Sequence, residues 1–434
     1  MQLVTKNNKK LIRSWAMFDW ANSVYNLVIT STIFPAYYLA ITASADGKDV
    51  VHFFGFEVIN TVLSNYALAA AYLLMSLALP FLSAYADANG KKLFLMKLFT
   101  YIGAISCMGL FFFTIDTLEI SMIFFALAAM GYIGGVAMNN SYLPLIATPD
   151  YQDEVSAKGF AYGYVGCVSL QLICFVLIFK KEWFGIEDSA LPAQLSFLLV
   201  GLWWLGFSQI PFRALPSNTA TSAPGLSLFD RVRKEFVSVR QRIEKIDSIK
   251  RFLPAFFFSA VGVQTIMIVA SAFGEKVLDL GTTKLIATII CIQLVAIAGA
   301  KLMSVLTRYY GNIAILLVVI FLWGCICVAA YFLNSEWQFY ILAFMVGLLM
   351  GGIQSLSRST YSKLLPEDLE DTTAFFSFYD VTEKLAIVVG LFSFGFIEQI
   401  TENIRFSALF LSVFFVLSLL LMLRMMKYNT GLKS

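Results

Sequence analysis

Asp19, Asp380, Glu383 and Lys384 stand inside stretches otherwise built from Phe, Leu, Ile, Val and Ala, as do Lys97 and Lys301, and Arg358 borders another. Ionisable groups in such surroundings are costly to keep; they mark solute or ion paths, proton relays or buried counter-charges. Amides accompany them. Asp19, Asn22, Asn26 and Thr30 fall at i, i+3, i+7 and i+11, lining one side of a helix whose other sides are Trp, Phe, Val and Ile. Gln354, Arg358 and Tyr361 share a face at i, i+4 and i+7, and Gln264 and Thr265 follow Pro254. Asn139 and Asn140 precede Pro144, which deprives a backbone carbonyl of its helical donor. Amides offer donors and acceptors together, so Asn22, Asn26, Asn140, Gln264 and Gln354 suit contact with a small zwitterionic or polyhydroxylated solute. Asp380 and Lys384, at i and i+4, are expected to neutralise each other. Glu383 is then left alone near the middle of its helix and able to carry a proton, with Asp19 as the second candidate and Arg358 placed at a gate. Helix-to-helix hydrogen bonds and charge locks would account for the same side chains with no solute at all.

Other chemistries lack their residues. The one histidine, His52, lies in a loop, so His-based metal sites, haem ligation and a Ser-His-Asp triad are excluded from the apolar stretches. The six cysteines sit in apolar segments without a CxxC pair, as small buried hydrophobes do. No GxxxxGK[ST] loop is present to hold ATP. The acidic run Asp368 to Asp371 belongs to a polar loop, where solvation explains it. No metal, no cofactor and no enzymatic reaction are expected. A formal charge of only +3 offers no surface for nucleic acid.

The elements that must carry these groups follow from hydropathy. With 59% hydrophobic and 14% charged residues in 434, too few polar side chains remain to cover soluble cores. A helical span needs about 20 apolar residues. That ruler gives twelve: 15–43, 61–83, 93–115, 120–143, 159–179, 191–212, 252–274, 285–306, 312–333, 338–357, 373–397 and 404–423. The loops that share a side with the termini hold twenty-two Lys and Arg, against six on the other side, so both termini are expected in the cytoplasm. The longest loop opens on the Ser- and Thr-rich segment 217–225 and continues with Leu228, Val232, Phe236, Val239, Ile243 and Ile246 at helical spacing beside Arg231, Arg233, Lys234, Arg240, Arg242 and Lys245. That pattern predicts a basic amphipathic helix against membrane lipid.

The chain also repeats itself. Gly134-Gly135 and Pro149-Asp150 recur 217 residues later as Gly351-Gly352 and Pro366-Glu367, with Asp153-Glu154 matching Glu370-Asp371 and Tyr162 matching Tyr379. At an offset of 221, Ser83, Asp87 and Gly90 align with Ser304, Arg308 and Gly311. The domain reading is two parallel six-helix halves, 1–212 and 252–434, joined by a cytoplasmic linker over 213–251. That is the layout of major facilitator transporters, in which the first and fourth helices of each half line a central cavity. The loop around Asp87, Gly90, Lys91 and Lys92 resembles that superfamily's cytoplasmic signature. Gly90 is expected to permit a tight turn, both lysines to anchor at lipid phosphates, and Asp87 to accept from the next helix's N-terminus or from a nearby base.

Trp15-Ala-Met-Phe-Asp19-Trp20-Ala21-Asn22-Ser23, Asn140-Ser141-Tyr142-Leu143-Pro144, Gly262-Val263-Gln264-Thr265 and Gly351-Gly352-Ile-Gln354-Ser355-Leu-Ser357-Arg358-Ser359 resemble the autophagy-related vacuole-effluxer family and its bacterial relatives. The resemblance implies an all-α membrane protein of twelve helices. It also implies a secondary transporter, exporting amino acids from the vacuole in the eukaryotic members. The expected activity is therefore alternating-access movement of a small polar solute, coupled to protons, by a monomer in a bacterial cytoplasmic membrane. A multidrug exporter of the same fold and a transporter-fold solute sensor are the alternatives.

Overall fold

The computed structural model describes residues 5–43, 50–217, 228–278, 280–366, 369 and 371–431. Glu367, Asp368, Glu370 and the segment 218–225, used above, lie outside the described residues, as do the side chains of Leu228 and Arg231. Among the described residues, twelve helices are long and apolar enough to cross a membrane. In chain order, spans 1 to 6 are Lys9–Thr42, Asn60–Asn89, Lys92–Phe112, Ile115–Ile146, Gln152–Phe179 and Leu191–Ala214. Spans 7 to 12 are Asp247–Ala270, Lys284–Tyr310, Asn312–Tyr331, Glu336–Leu364, Thr372–Thr401 and Ile404–Lys427. The expected all-helical architecture is therefore present, with one addition: strands Val50–Phe53 and Phe56–Ile59 pair as a hairpin between spans 1 and 2, placing His52 opposite Glu57. Its turn, Phe54-Gly55, takes positive φ at both positions, the geometry a two-residue hairpin demands.

Several helices outrun the stretches that hydropathy marks. Span 1 starts at Lys9 rather than 15, span 5 at Gln152 rather than 159, and span 10 runs to Leu364 rather than 357. A hydropathy ruler sees only the part in hydrocarbon, whereas capped polar turns extend each helix beyond it. Asn8 Oδ1 accepts from the amides of Lys10 and Leu11 at 2.9 and 3.3 Å, fixing the start of span 1. Ser335 and Gln338 form a reciprocal capping box at the start of span 10. Gly90 ends span 2 at φ +64°, a left-handed turn that a side chain would resist.

Two spans break inside the membrane. Span 1 is α-helical to Val24, widens into a π-helix over Tyr25–Thr32, and resumes as α-helix over Ile33–Thr42. The Ser31 and Thr32 hydroxyls donate to the carbonyls of Asn26 and Leu27, five residues back, satisfying the loosened turn. A wider turn rotates less per residue, so Asn26 and Thr30 swing off the line of Asp19 and Asn22. The single polar stripe expected of span 1 is thus cut at Tyr25. Span 4 is helical to Asn140, turns at Ser141-Tyr142, and resumes over Leu143–Ile146.

Spans 1–6 pack around two apolar clusters that include Phe34, Phe125 and Trp204 in one and Trp15, Phe18 and Tyr142 in the other. Spans 7–12 share a third, which includes Phe252, Trp323 and Tyr361. Gly134 and Gly351 occupy matching places in the repeat, and each allows close helix packing. A Cβ on Gly134 would overlap the Phe99 ring, and one on Gly351 would overlap the Ala296 carbonyl. The same glycine thus serves span 3 in one half and span 8 in the other.

The linker helix, Leu228–Lys245, does not lay its apolar side on lipid. Val239 and Ile243 are buried, and the Phe236 ring stacks between Phe81 of span 2 and Phe378 of span 11, with centroids 4.9 and 6.3 Å away. Arg242 forks onto Asp371 through two 2.8 Å hydrogen bonds and covers the Phe375 ring. An aromatic surface shared by spans 2 and 11 outcompetes lipid because it also supplies an ionic partner. Arg233, Lys234, Arg240 and Lys245 remain exposed. Arg242 is half-exposed, so the contact is worth about 1 kcal/mol. Phe236→Ala with Arg242→Gln is expected to raise tryptic cleavage within 231–245 about fivefold. An unchanged digestion rate would mean that the helix is held by other contacts.

Candidate functional site

Twelve spans put both termini and the linker on one face, the cytoplasmic one by charge count. Near it the two halves are stitched together by a buried polar layer centred on Arg358 of span 10, which is 3% exposed. Its Nη1 donates to Asp19 Oδ2 at 3.3 Å and to Asn140 Oδ1 at 3.2 Å. Its Nε and Nη2 donate to the Ser156 hydroxyl and carbonyl at 3.0 and 2.8 Å, and its plane lies between the Trp15 and Phe160 rings. A planar guanidinium is suited to this work, since it forks hydrogen bonds at its edge while stacking on rings at its face. Asp19 completes its shell through Asn139 Nδ2 at 3.1 Å, and the buried carbonyl of Asn139, where span 4 breaks, accepts from the Trp15 indole at 2.9 Å as well as from the Tyr142 amide. Asn140 faces two ways: besides accepting from Arg358, its Nδ2 donates to Asp380 Oδ1 of span 11 at 3.0 Å. Asp380 Oδ2 is buried and has no hydrogen-bond partner.

Span 5 fits against this layer because it carries glycines. A Cβ on Gly159 would overlap Asp19 Oδ2 and stand 2.7 Å from Arg358 Nη2 and 2.9 Å from the Trp15 ring. Gly163 and Gly166 bring the same helix against Ser23 and the Trp20 backbone. The spacing Gly159, Gly163, Gly166 was the available sequence signal for this approach.

A second polar layer lies deeper. Glu383 is the twelfth residue of span 11, about 16 Å along it by the 1.5 Å rise. The expected pairing is not what forms. Lys384 Nζ binds the neighbouring Glu383 Oε2 at 2.6 Å rather than Asp380, and Gln264 Nε2 donates to Glu383 Oε1 at 2.8 Å. Asp380 is drawn away instead by Asn140 across the interface. Glu383 is therefore engaged, and Asp380 is the carboxylate without a cation in contact. Tyr72 of span 2 and Tyr132 of span 4 stand within electrostatic range of Lys384. Gln354 accepts from the Tyr164 hydroxyl at 2.6 Å and turns its Nε2 toward Met267 sulfur at 3.5 Å. Asn22 is buried in the same half as Asp19, and its Oδ1 has no partner. Asn26, half-buried in the π-helical turn, makes no side-chain hydrogen bond to Asp19 or Arg358. Tyr361 lies two turns along the same face of the unbroken helix, where its ring is buried and its hydroxyl donates to the Phe375 carbonyl.

Two seams seal the cytoplasmic end. At the first, Asp87 Oδ2 accepts from the Ala374 amide at 2.7 Å, in the first turn of span 11, so it serves the other half rather than the next helix. A carboxylate there satisfies an orphan amide and opposes the helix dipole. Lys92, expected at lipid phosphate, is fully buried. Its Nζ donates to Thr372 Oγ1 at 2.6 Å and lies over the Tyr142 ring, while Lys91 alone is exposed. At the second seam, Arg308, the repeat mate of Asp87, reaches Glu154 at 2.6 Å, and Lys363 and Asn312 enclose Asp153 of span 5. The same position thus carries opposite charge in the two halves and meets an opposite partner. Sequence reasoning does not single out Ser156, Tyr164, Lys363 and Asn312, because their partners lie more than 45 residues away. Among the described residues, hydrogen bonds between spans 1–6 and spans 7–12 occur from the Tyr164–Gln354 contact to the cytoplasmic end and not beyond it. The two halves are closed on that face.

Comparison with known proteins agrees with this geometry. A family described as vacuole effluxer Atg22 like matches residues 7–433. The chain is 27% identical to an uncharacterized MFS-type transporter, YxiO, of Bacillus subtilis over 96% of its own length and 95% of that protein's. It is 24% identical to autophagy-related protein 22 of Saccharomyces cerevisiae, over 88% of this chain and 81% of the relative. Among solved structures, a bacterial homologue of the iron transporter ferroportin in its outward-facing state superposes with TM-score 0.69 at 12% identity, covering 96% and 98% of the two chains. The fucose:proton symporter FucP of E. coli superposes with TM-score 0.63 at 12% identity, covering 96% and 97%. At that identity the likeness concerns the fold.

Proposed function

The chain belongs to the vacuole effluxer Atg22-like family of major facilitator transporters, and from that premise we propose that it exports a small zwitterionic solute, an amino acid, by alternating access. Membership in that superfamily implies a small-molecule substrate and a multi-pass membrane protein; its place in a bacterial cytoplasmic membrane is part of the proposal. The observation that carries the solute class is the ion pair of Glu383 and Lys384 at mid-membrane, backed by Gln264. An amino acid presents one carboxylate and one ammonium a few bonds apart. Such a solute exchanges into the pair, its carboxylate taking Lys384 and its ammonium taking Glu383, so that neither protein charge is stranded. Asn22 and Gln354 are the amides that complete the site, with Asn26 and Asn140 at its margins. The rocking of spans 1–6 against spans 7–12 then breaks the cytoplasmic seams and opens the other route.

The test is counterflow in liposomes. Vesicles loaded with a mixture of unlabelled amino acids are expected to accumulate a labelled one from outside, and matched polyols or sugars are expected not to compete. Accumulation that sugars abolish and amino acids leave intact would reject the zwitterion. A second reading, export of apolar drugs, draws on a small cavity within spans 7–12 lined by Phe273, Ile292, Phe339, Leu342 and Phe394. It predicts efflux of a lipophilic dye that survives Glu383→Gln.

A further inference from the structure

We propose that Asp380 is the proton-carrying residue of this transporter, and that Arg358 exchanges Asp19 for Asp380 when the cytoplasmic face opens. The inference rests on the transport reading above and adds what drives it. Charge counting carries it first. The two buried layers hold three carboxylates, Asp19, Asp380 and Glu383, and two cations, Arg358 and Lys384. Arg358 is taken by Asp19, and Lys384 by Glu383. Asp380, 1% exposed, is the one left over, and an uncompensated buried carboxylate is neutralised by a proton. Its hydrogen bonds agree: Oδ1 accepts from Asn140, and Oδ2 has no partner, so that oxygen is the place for the proton.

The exchange follows from which half each group belongs to. Asp19, Asn140 and Ser156 lie on spans 1, 4 and 5, whereas Arg358 and Asp380 lie on spans 10 and 11. Separating the halves at this end removes from Arg358 its carboxylate, its amide and both Ser156 contacts. The same movement removes from Asp380 its one donor. A single amide stands between the two, since Asn140 Oδ1 accepts from Arg358 at 3.2 Å while its Nδ2 donates to Asp380 at 3.0 Å. Once Asn140 withdraws with its half, the guanidinium and the acid stay together on the other half without the amide that separated them, and Lys384 remains held by Glu383. The O–H bond at Asp380 Oδ2 breaks, the proton passes to water entering from the cytoplasm, and the carboxylate pairs with Arg358. Asp19 keeps Asn139 and is wetted by the same water.

In the closed state the two cations near Asp380, Arg358 and Lys384, are held by Asp19 and Glu383. Span 10 faces it with Arg358 and Tyr361, span 4 with Asn140, and its own helix with Tyr379, Glu383 and Lys384. Span 2 contributes Tyr72, which stands toward the Glu383–Lys384 pair, and its Asp87 lies two turns away at Ala374, near Arg242 and Asp371 of the linker seam. Protons would thus enter with the outward-open state and leave to the cytoplasm, the direction that powers export of a solute.

The state closed to the cytoplasm holds one proton more than the open state, so acid favours closure and base favours opening. One linked proton shifts the ratio of states by at most about tenfold per pH unit. Spin labels at Tyr151→Cys and Tyr309→Cys, both exposed and on opposite halves, report the separation of spans 5 and 8. Exposed Cys291 and Cys325 are first replaced by serine. No solute is added, so failure here leaves the zwitterion reading standing, and a failed counterflow assay leaves this switch standing. Between about pH 5.5 and 8.5 the long-distance population is expected to grow with pH in the parent. Asp380→Asn is expected to stay closed at every pH, and Asp380→Glu to respond with a displaced midpoint. A parent without pH response, an Asp380→Asn variant with the parent's response, or an Asp380→Glu midpoint that does not move would each overturn the assignment.

Discussion

Glu383→Gln and Lys384→Met are each expected to lower amino-acid counterflow by about 100-fold or more and to lower the melting temperature, whereas the double variant regains stability and stays inert. Each single change strands a buried charge: Glu383 and Lys384 side chains are only 18% and 8% exposed, and their contact is 2.6 Å. Breaking such a pair from one side costs roughly 3–5 kcal/mol, which corresponds to two or three decades in an equilibrium. Removing both charges leaves no stranded partner, so the cost to folding largely disappears. The cost to function does not, because an incoming ammonium and carboxylate then meet Gln and Met in place of their counter-charges. A stable double variant that still transports would reduce the pair to a lock between helices. A double variant as unstable as the singles would show that Gln264, which donates to Glu383 at 2.8 Å, is the real casualty.

These residues illustrate how far a sequence can be read. Periodicity of about 3.6 places Gln354 and Arg358 on one side of span 10, and lipid-length apolar runs locate twelve helices, because both depend on neighbours a few residues apart. Spacing misassigns the partner of Lys384 for the complementary reason. It offers Asp380 at i−4 and Glu383 at i−1, and the choice is made by Asn140, 240 residues from Asp380, which reaches across from span 4. The polar stripe of span 1 fails at Tyr25 through a different cause. A π-helical turn has no compositional mark here beyond Ser31 and Thr32, whose hydroxyls can cap carbonyls five residues back. The linker helix is legible as amphipathic, yet its apolar side does not say whether lipid or protein covers it. That answer depends on Phe81, Phe378 and Asp371, each remote in sequence from the helix it receives. Local periodicity fixes what a helix offers; only the fold determines what accepts it.

Gly159→Val is the change expected to separate the halves most completely without unfolding either. Even an alanine Cβ here would overlap Asp19 Oδ2 and lie 2.7 Å from Arg358 Nη2, well inside van der Waals contact. Those two atoms belong to a buried 3.3 Å ion pair whose other contacts, Asn139, Asn140 and Ser156, prevent either side chain from retreating. Valine adds two methyls and fills the position of the pair outright. Overpacking and an unpaired buried charge together cost about 3–5 kcal/mol in the closed state. In the state open to the cytoplasm Arg358 is gone from this point, and Asp19, which stays on the same half as Gly159, is freed from the ion pair and can turn aside. The part of the penalty that Arg358 imposes is thus relieved, and the population shifts toward that state. The Tyr151→Cys/Tyr309→Cys separation is expected to sit at its long limit at every pH, with exchange across the bilayer lost because one of the two required states is missing. Gly166→Ala provides the contrast. Its Cβ would strike the Trp20 carbonyl at 2.5 Å, wholly within spans 1–6, so it is expected to lower the melting temperature and leave the distance distribution as in the parent. If Gly159→Val instead behaves like Gly166→Ala, the glycine serves helix packing in both states and the ion pair is not what holds the face shut.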